Sequence, residues 1–111
     1  MKLSQKDLVL LPYPFSNLKE TKVRPAVIVS NEIFNKQSAD CVMVPLTSVI
    51  KEEPYSVIIE NKNLVSGTLP KKSRIRADKV FCVEKSLVHL VIGRIDDLIF
   101  EKVKSEIIKV F

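Results

Sequence analysis

Apolar residues in this chain come in short runs, each cut off by Pro, Asn, Asp or Gly. Ala26-Val27-Ile28-Val29, Cys41-Val42-Met43-Val44-Pro45-Leu46, Tyr55-Ser56-Val57-Ile58-Ile59-Glu60 and Val88-His89-Leu90-Val91-Ile92 all follow this pattern. Runs so short and so rich in β-branched residues read as strands joined by turns. Asp7 to Leu11 is the first, closed by Pro12-Tyr13-Pro14. Pro25 marks the start of the second, where a missing N–H does least harm. Asn31 to Ser38 reads as a loop with one helical turn, and Asn61 to Pro70 as a turn built on its Asn, Gly and Pro. Ser73 to Val83 alternates as a bent strand, and Gly93 is expected to stop the last one.

At the C-terminus the period changes. From Asp96 or Asp97, residues that cap a helix well, Ile99, Val103, Ile107 and Val110 recur at three- and four-residue steps. Leu98, Ile108 and Phe111 widen that stripe, and Lys109 suits the negative end of the helix dipole. The expected fold is mainly β with a C-terminal helix, a small antiparallel barrel of about five to seven strands.

With 111 residues, the chain is expected to form one domain, 1–111. Lys, Glu, Asp or Pro interrupts every candidate membrane span, and Met1 to Asp7 holds no apolar signal region, so the expectation is a cytoplasmic protein with no membrane attachment. Cys41 and Cys82 each sit in an apolar stretch and read as buried free thiols. Lys and Arg number 18 against 13 Asp and Glu, a formal charge of +5 that favours polyanionic partners.

Three places concentrate polar groups that a fold alone does not ask for. Lys22-Val23-Arg24-Pro25 joins the polar segment Ser16 to Lys22, longer than a hairpin needs, to a buried strand. Pro45-Leu46-Thr47-Ser48 brings two hydroxyls out of a strand, able either to hold a phosphate or to close a turn on their own backbone. In Lys71-Lys72-Ser73-Arg74-Ile75-Arg76-Ala77-Asp78-Lys79, an extended chain sets Arg74, Arg76 and Asp78 on one face and turns Ile75 and Ala77 to the core. That face is either a solvated basic strand or an RNA site.

Cleaving RNA without a metal requires a base for the attacking 2′-OH, cationic donors for the crowded phosphorus and an acid for the departing 5′-oxygen. Arg24, Thr47, Arg76 and Asp78 supply these groups if the fold unites them. A free Asp titrates near about 3.9 and Arg above about 12, so charge clamping and positioning of the 2′-OH carry much of such a reaction. Lys22, Ser48, Lys72 and Arg74 are further candidates for RNA contact, with Tyr13, Phe15 and Tyr55 to stack on bases, Phe15 and Tyr55 being equally readable as core. His89, the only histidine, lies in an apolar run and reads as structural. No His or Cys pair has metal-ligand spacing and no Gly-rich phosphate loop occurs, so neither metal nor cofactor is expected.

Asp7 to Leu18, Lys22 to Ser30, Val44-Pro45-Leu46-Thr47-Ser48, Ser73 to Val83 and Ile92-Gly93-Arg94-Ile95 together resemble the PemK/MazF family along essentially the whole chain. The resemblance implies an SH3-like barrel that forms homodimers. It implies a toxin that cuts single-stranded RNA to 2′,3′-cyclic phosphate and 5′-hydroxyl ends and is silenced by a cognate antitoxin. In many members the arginine before the proline, here Arg24, and the motif threonine, here Thr47, are needed for cleavage. Arg76-Ala77-Asp78 matches the Arg-x-Asp pair that acts as acid and base in the PemK-like branch. Two positions depart from the pattern: Lys6 stands where the family usually has Gly, and Ser16 and Asn17 stand where the PemK-like branch places a histidine. The rival readings are a non-catalytic RNA-binding domain and a CcdB-like gyrase binder, which shares the fold and has no need of the Arg24, Thr47, Arg76 and Asp78 set.

Overall fold

A computed structural model describes residues 2–12 and 23–111. Among them are eight strands: β1 (Asp7–Pro12), β2 (Val23–Ile28), β3 (Asp40–Thr47), β4 (Ser56–Ile59), β5 (Leu64–Gly67), β6 (Ser73–Arg76), β7 (Phe81–Glu84) and β8 (Leu90–Ile95). Two helices accompany them, α1 (Glu32–Gln37) and α2 (Asp97–Lys109). The strands form one curled antiparallel sheet, a half-barrel in the order β4-β6-β3-β2-β1-β8-β5, with β7 also paired to β3.

The central strands are apolar along their length because both faces of the sheet are covered. Alternation sends Leu8, Val27, Val44 and Leu46 to one face, where they meet Ile75, Ile95 and the helix residues Ile99, Phe100 and Val103. It sends Val9, Leu11, Ala26, Ile28, Cys41 and Met43 to the other, under Leu3, Val83 and Val88. Fully burying one such aliphatic side chain contributes about 1.5–3 kcal/mol, so two clusters fix the register of β1, β2 and β3 twice over. Helix α2 begins at Asp96, whose carboxylate accepts the Ile99 amide at 2.7 Å, and its face of Ile99, Phe100 and Val103 lies on the first cluster.

Several expectations are corrected. The stretch Ser73 to Val83 is not one bent strand: the Ala77–Asp78 turn divides it into β6 and β7. Leu46 pairs with Ile75 and Met43 with Phe81, so three steps along β3 are matched by six from β6 to β7, the surplus being the turn. Asn61 to Pro70 is not only a turn, because after a 3-10 turn at Asn61–Asn63 it forms β5. Gly93 does not stop the last strand but lies within β8. A Cβ there would come 2.8 Å from the Ser66 carbonyl oxygen, so glycine is what lets β5 pair so closely. Pro25 is inside β2, just beyond the part of that strand paired with β3. Leu98, Ile108 and Phe111 do not widen the buried stripe of α2; all three are exposed. Cys41 is buried, whereas Cys82 is exposed, since β7 has only one covered face. His89 is exposed and precedes β8, tied down by its amide to the Leu10 carbonyl at 2.8 Å.

Candidate functional site

The two motifs at strand ends meet in space. Arg24 is the second residue of β2 and Thr47 the last of β3. Continuing the β2–β3 register two residues beyond Ala26–Pro45 sets them opposite each other. By alternation both lie on the face of the second cluster, past the point where its apolar residues end. Arg24, Thr47 and Ser48 line one cleft of about 590 Å³ together with Val23, Pro25, Leu46, Leu69, Pro70, Lys71 and Ser73. Arg24 is exposed and makes no ion pair among the described residues. The Thr47 hydroxyl accepts the Val49 amide at 3.2 Å, closing a turn on its own backbone, and its proton is left to donate. Ser48 is exposed beside it. Of the two roles open to this hydroxyl pair, Thr47 performs the turn-closing one while also lining the cleft.

Arg76 and Asp78, the other two candidates, pair with each other at the end of β6. Arg76 ends β6, and the turn from Arg76 to Lys79, closed by the Lys79 amide on the Arg76 carbonyl at 3.2 Å, swings Asp78 back over it. The guanidinium donates to both carboxylate oxygens, Nε at 3.3 Å and Nη2 at 2.8 Å. Asp78 therefore faces Arg76 through a turn, not through the strand alternation expected for it. Partial burial pushes the Asp78 carboxyl up, but the hydrogen bonds and charge of Arg76 outweigh this, helped by its own amide and by Lys79. The result lies below the ordinary value of 3.8. At neutral pH Asp78 is thus a carboxylate held against the Arg76 guanidinium. Neither residue lines the cleft of Arg24 and Thr47. Arg76 lies two residues along β6 from Arg74, the partner of Thr47, which puts it about 7 Å further along the same face.

Arg74 departs from its expected role. Alternation does place it on the face shared with Arg76, but the segment after Thr47 folds over it and leaves it 5% exposed. Its Nε donates to the Val49 carbonyl at 3.3 Å and its Nη1 to the Ser56 hydroxyl at 2.9 Å, with the Glu53 carboxylate at 3.5 Å. Lys72 is exposed and lines a neighbouring hollow with Lys62 and Lys71, not the cleft itself. Tyr13, Phe15 and Lys22, like the rest of the polar segment Ser16 to Lys22, lie outside the described residues.

Sequence reasoning missed Lys71, Ser73, Leu69 and Pro70 as cleft residues. The signal for Lys71 was its place in the basic run, whereas Leu69 and Pro70 come from a segment read as a plain turn. Among the described residues no three His, Cys, Asp or Glu side chains gather where they would hold a metal ion, and no helix is long and apolar enough to cross a membrane.

Known structures share this fold. An endoribonuclease in complex with its cognate antitoxin from a Mycobacterial species aligns over 97% of this chain and 93% of its own, with TM-score 0.76 and 18% identity. Mycobacterium tuberculosis toxin MazF-mt6 aligns over 95% of both chains at TM-score 0.76 and 15% identity. MazE-MazF (Form-III) from Deinococcus radiodurans aligns over 97% of this chain and 94% of that one at TM-score 0.77 and 19% identity. No curated protein sequence matches significantly. Residues 4–111 match the family described as PemK-like, MazF-like toxin of type II toxin-antitoxin systems, and the chain belongs to that family.

Proposed function

We propose that the protein is the toxin of a type II toxin–antitoxin pair and a metal-independent endoribonuclease. It cuts single-stranded RNA at defined sequences to leave 2′,3′-cyclic phosphate and 5′-hydroxyl ends. The observation that carries this reading is the shared cleft of Arg24, Thr47 and Ser48, which with Lys71 and Ser73 offers two cations and three hydroxyls on a chain of net charge +5. Arg24 neutralises the phosphate under attack, and Thr47 and Ser48 donate to its oxygens. The 2′-oxygen attacks phosphorus, its proton passing to the Asp78 carboxylate, while the 5′-oxygen leaves and takes a proton from the Arg76 guanidinium, which regains it from protonated Asp78 across their 2.8 Å hydrogen bond. A carboxylate held below its ordinary value is a weak base near neutrality, so alignment of the 2′-OH with phosphorus has to supply much of the rate. The chain works as one domain, 1–111, in the cytoplasm and as a homodimer, and a cognate antitoxin blocks the basic surface, in keeping with the antitoxin-bound relatives.

The test is digestion of a long mixed-sequence RNA in excess EDTA, with the new ends mapped. Discrete cuts with 5′-hydroxyl ends are expected, and they should disappear in folded Arg24→Ala and Asp78→Ala proteins. A folded wild-type protein that leaves varied RNAs intact would sink the nuclease reading and favour the non-catalytic or gyrase-binding one.

A further inference from the structure

Arg74 was expected to touch RNA, yet it is walled off from solvent by the chain that follows the cleft hydroxyls. This chain, from Ser48 to Tyr55, leaves β3 at Thr47 and re-enters the sheet as β4 at Ser56. The Arg74 guanidinium holds it at both ends, by the Val49 carbonyl near its start and the Ser56 hydroxyl at its finish. Val49 is itself bonded to the Thr47 hydroxyl at 3.2 Å, so one end of the clamp is a single residue from the cleft. The other end reaches the second half of the site. The Tyr55 carbonyl accepts the Ala77 amide at 2.9 Å, and Ala77 sits between Arg76 and Asp78 in the turn that pairs them. Tyr55 has φ +60°, a left-handed conformation that a side chain this size adopts only when its surroundings impose it.

We propose that Arg74 is a positioning residue: its buried guanidinium fixes the Ser48–Tyr55 segment and, through it, the spacing between the Thr47–Ser48 hydroxyls and the Arg76–Asp78 pair. The chemistry favours arginine for this task. A planar fork satisfies a carbonyl and a hydroxyl at the two ends of a loop at once, whereas a lysine ammonium on a flexible stem does not hold both in fixed directions. The Glu53 carboxylate, at 3.5 Å, balances the buried charge. On this reading the segment is held open across the sheet by Arg74, not by substrate, and the two halves are already set before RNA arrives. Positioning errors on the ångström scale cost up to about 100-fold in rate.

This inference rests on the nuclease reading, and the experiment separates the two. Binding of an uncleavable single-stranded RNA is measured against salt concentration, and cleavage is measured in parallel, for wild type, Arg74→Lys and Arg74→Gln. Expected for both variants is a 10- to 100-fold loss of kcat with RNA affinity within about twofold, and a salt slope equal to that of wild type. A phosphate-contacting Arg74 would instead lower the slope by about 0.7 in Arg74→Gln and be rescued by Arg74→Lys, which overturns the proposal. Unchanged kcat in both also overturns it. Should Arg74→Gln fail to fold, Ser56→Ala removes the clamp's far end while leaving the arginine in place, and the same loss of kcat at unchanged slope is expected; full activity there counts against the clamp. If wild type cuts no RNA, the nuclease reading fails, and hydrogen exchange then decides on the clamp alone: Ser56→Ala should expose the Val49 and Ala77 amides, and unchanged protection refutes it.

Discussion

Lys6 is the residue at which this chain departs from its family's usual glycine, and the backbone explains the family's preference. Its φ is +79°, in the left-handed region where a Cβ crowds the following carbonyl. It cannot relax, because its amide donates to the Ile28 carbonyl at 2.8 Å and its carbonyl accepts from Ile95 at 3.1 Å, tying it to β2 on one side and β8 on the other. The lysine side chain compensates by pairing with Asp97 at 2.7 Å in the first turn of α2, over the Phe100 ring. To isolate the strain, Lys6→Gly is compared with Lys6→Ala, since both lose the ammonium and its ion pair. Left-handed backbone costs an L-residue about 1–2 kcal/mol, and glycine gives back about 0.5–1 kcal/mol through its freer unfolded chain. The glycine protein should therefore be more stable than the alanine protein by about 0.5–1 kcal/mol, or roughly 2–5 °C in Tm for a domain of this size. Urea unfolding at neutral pH, with equal m-values in the two proteins, measures the difference. An alanine variant as stable as the glycine one would refute the strain argument.

Gly67 has φ +78°, and an added Cβ would lie 2.0 Å from the Ile92 carbonyl oxygen; Gly67→Ala should destabilise by at least about 2 kcal/mol, read as a lower urea midpoint, through strain and separation of β5 from β8. Because the folded Asp78 carboxyl is more acidic than 3.8, the stability it confers is fully present above the unfolded value and is lost as pH falls through the folded one. The gap between wild type and Asp78→Asn in urea unfolding should thus be constant near neutrality and close below about pH 4; a gap that widens on acidification would contradict this. Burial pushes the Cys41 thiol up in spite of Lys85 nearby, while Cys82 is exposed. Native protein treated with iodoacetamide should gain one adduct by mass spectrometry, at Cys82, and a second only on unfolding.

How much of this was legible beforehand depended on whether the determining interactions were local. The apolar runs of β1, β2 and β3 were readable because both their faces are covered, so nothing polar interrupts them. Helix α2 was readable from Asp96 and the spacing of Ile99 and Val103. β5 was not, for its place is decided by two glycines that allow close approach to β8, a contact between residues far apart in sequence. Arg24 and Thr47 were found as strand-end polar residues, but only the β2–β3 register brings them opposite each other. Alternation put Arg74 on the correct face, yet could not foresee that the chain after Thr47 would bury it. Asp78 reached Arg76 by a different route, the turn that also ends β6.

The site's location follows from where the sheet's second apolar cluster runs out. On β2 that cluster includes Ile28 and Ala26, and two residues on comes exposed Arg24; on β3 it includes Cys41 and Met43, and at the strand's end comes Thr47. Because the strands are antiparallel, the start of one lies beside the finish of the other, so both runs end at the same edge. The same backbone order that packs the core thereby sets a cation opposite a hydroxyl with no side-chain contact needed to hold them. Arg76, the last residue of β6, is paired with Ser56 of the edge strand β4, and beyond it lies only the turn that carries Asp78. Asp78 depends beyond that pairing on hydrogen bonds of the turn: the bidentate pair, the Lys79 amide and the tie from Ala77 to Tyr55. Substitutions that loosen the Ser48–Tyr55 segment should therefore disturb Arg76 and Asp78 before Arg24 and Thr47, which the strands hold.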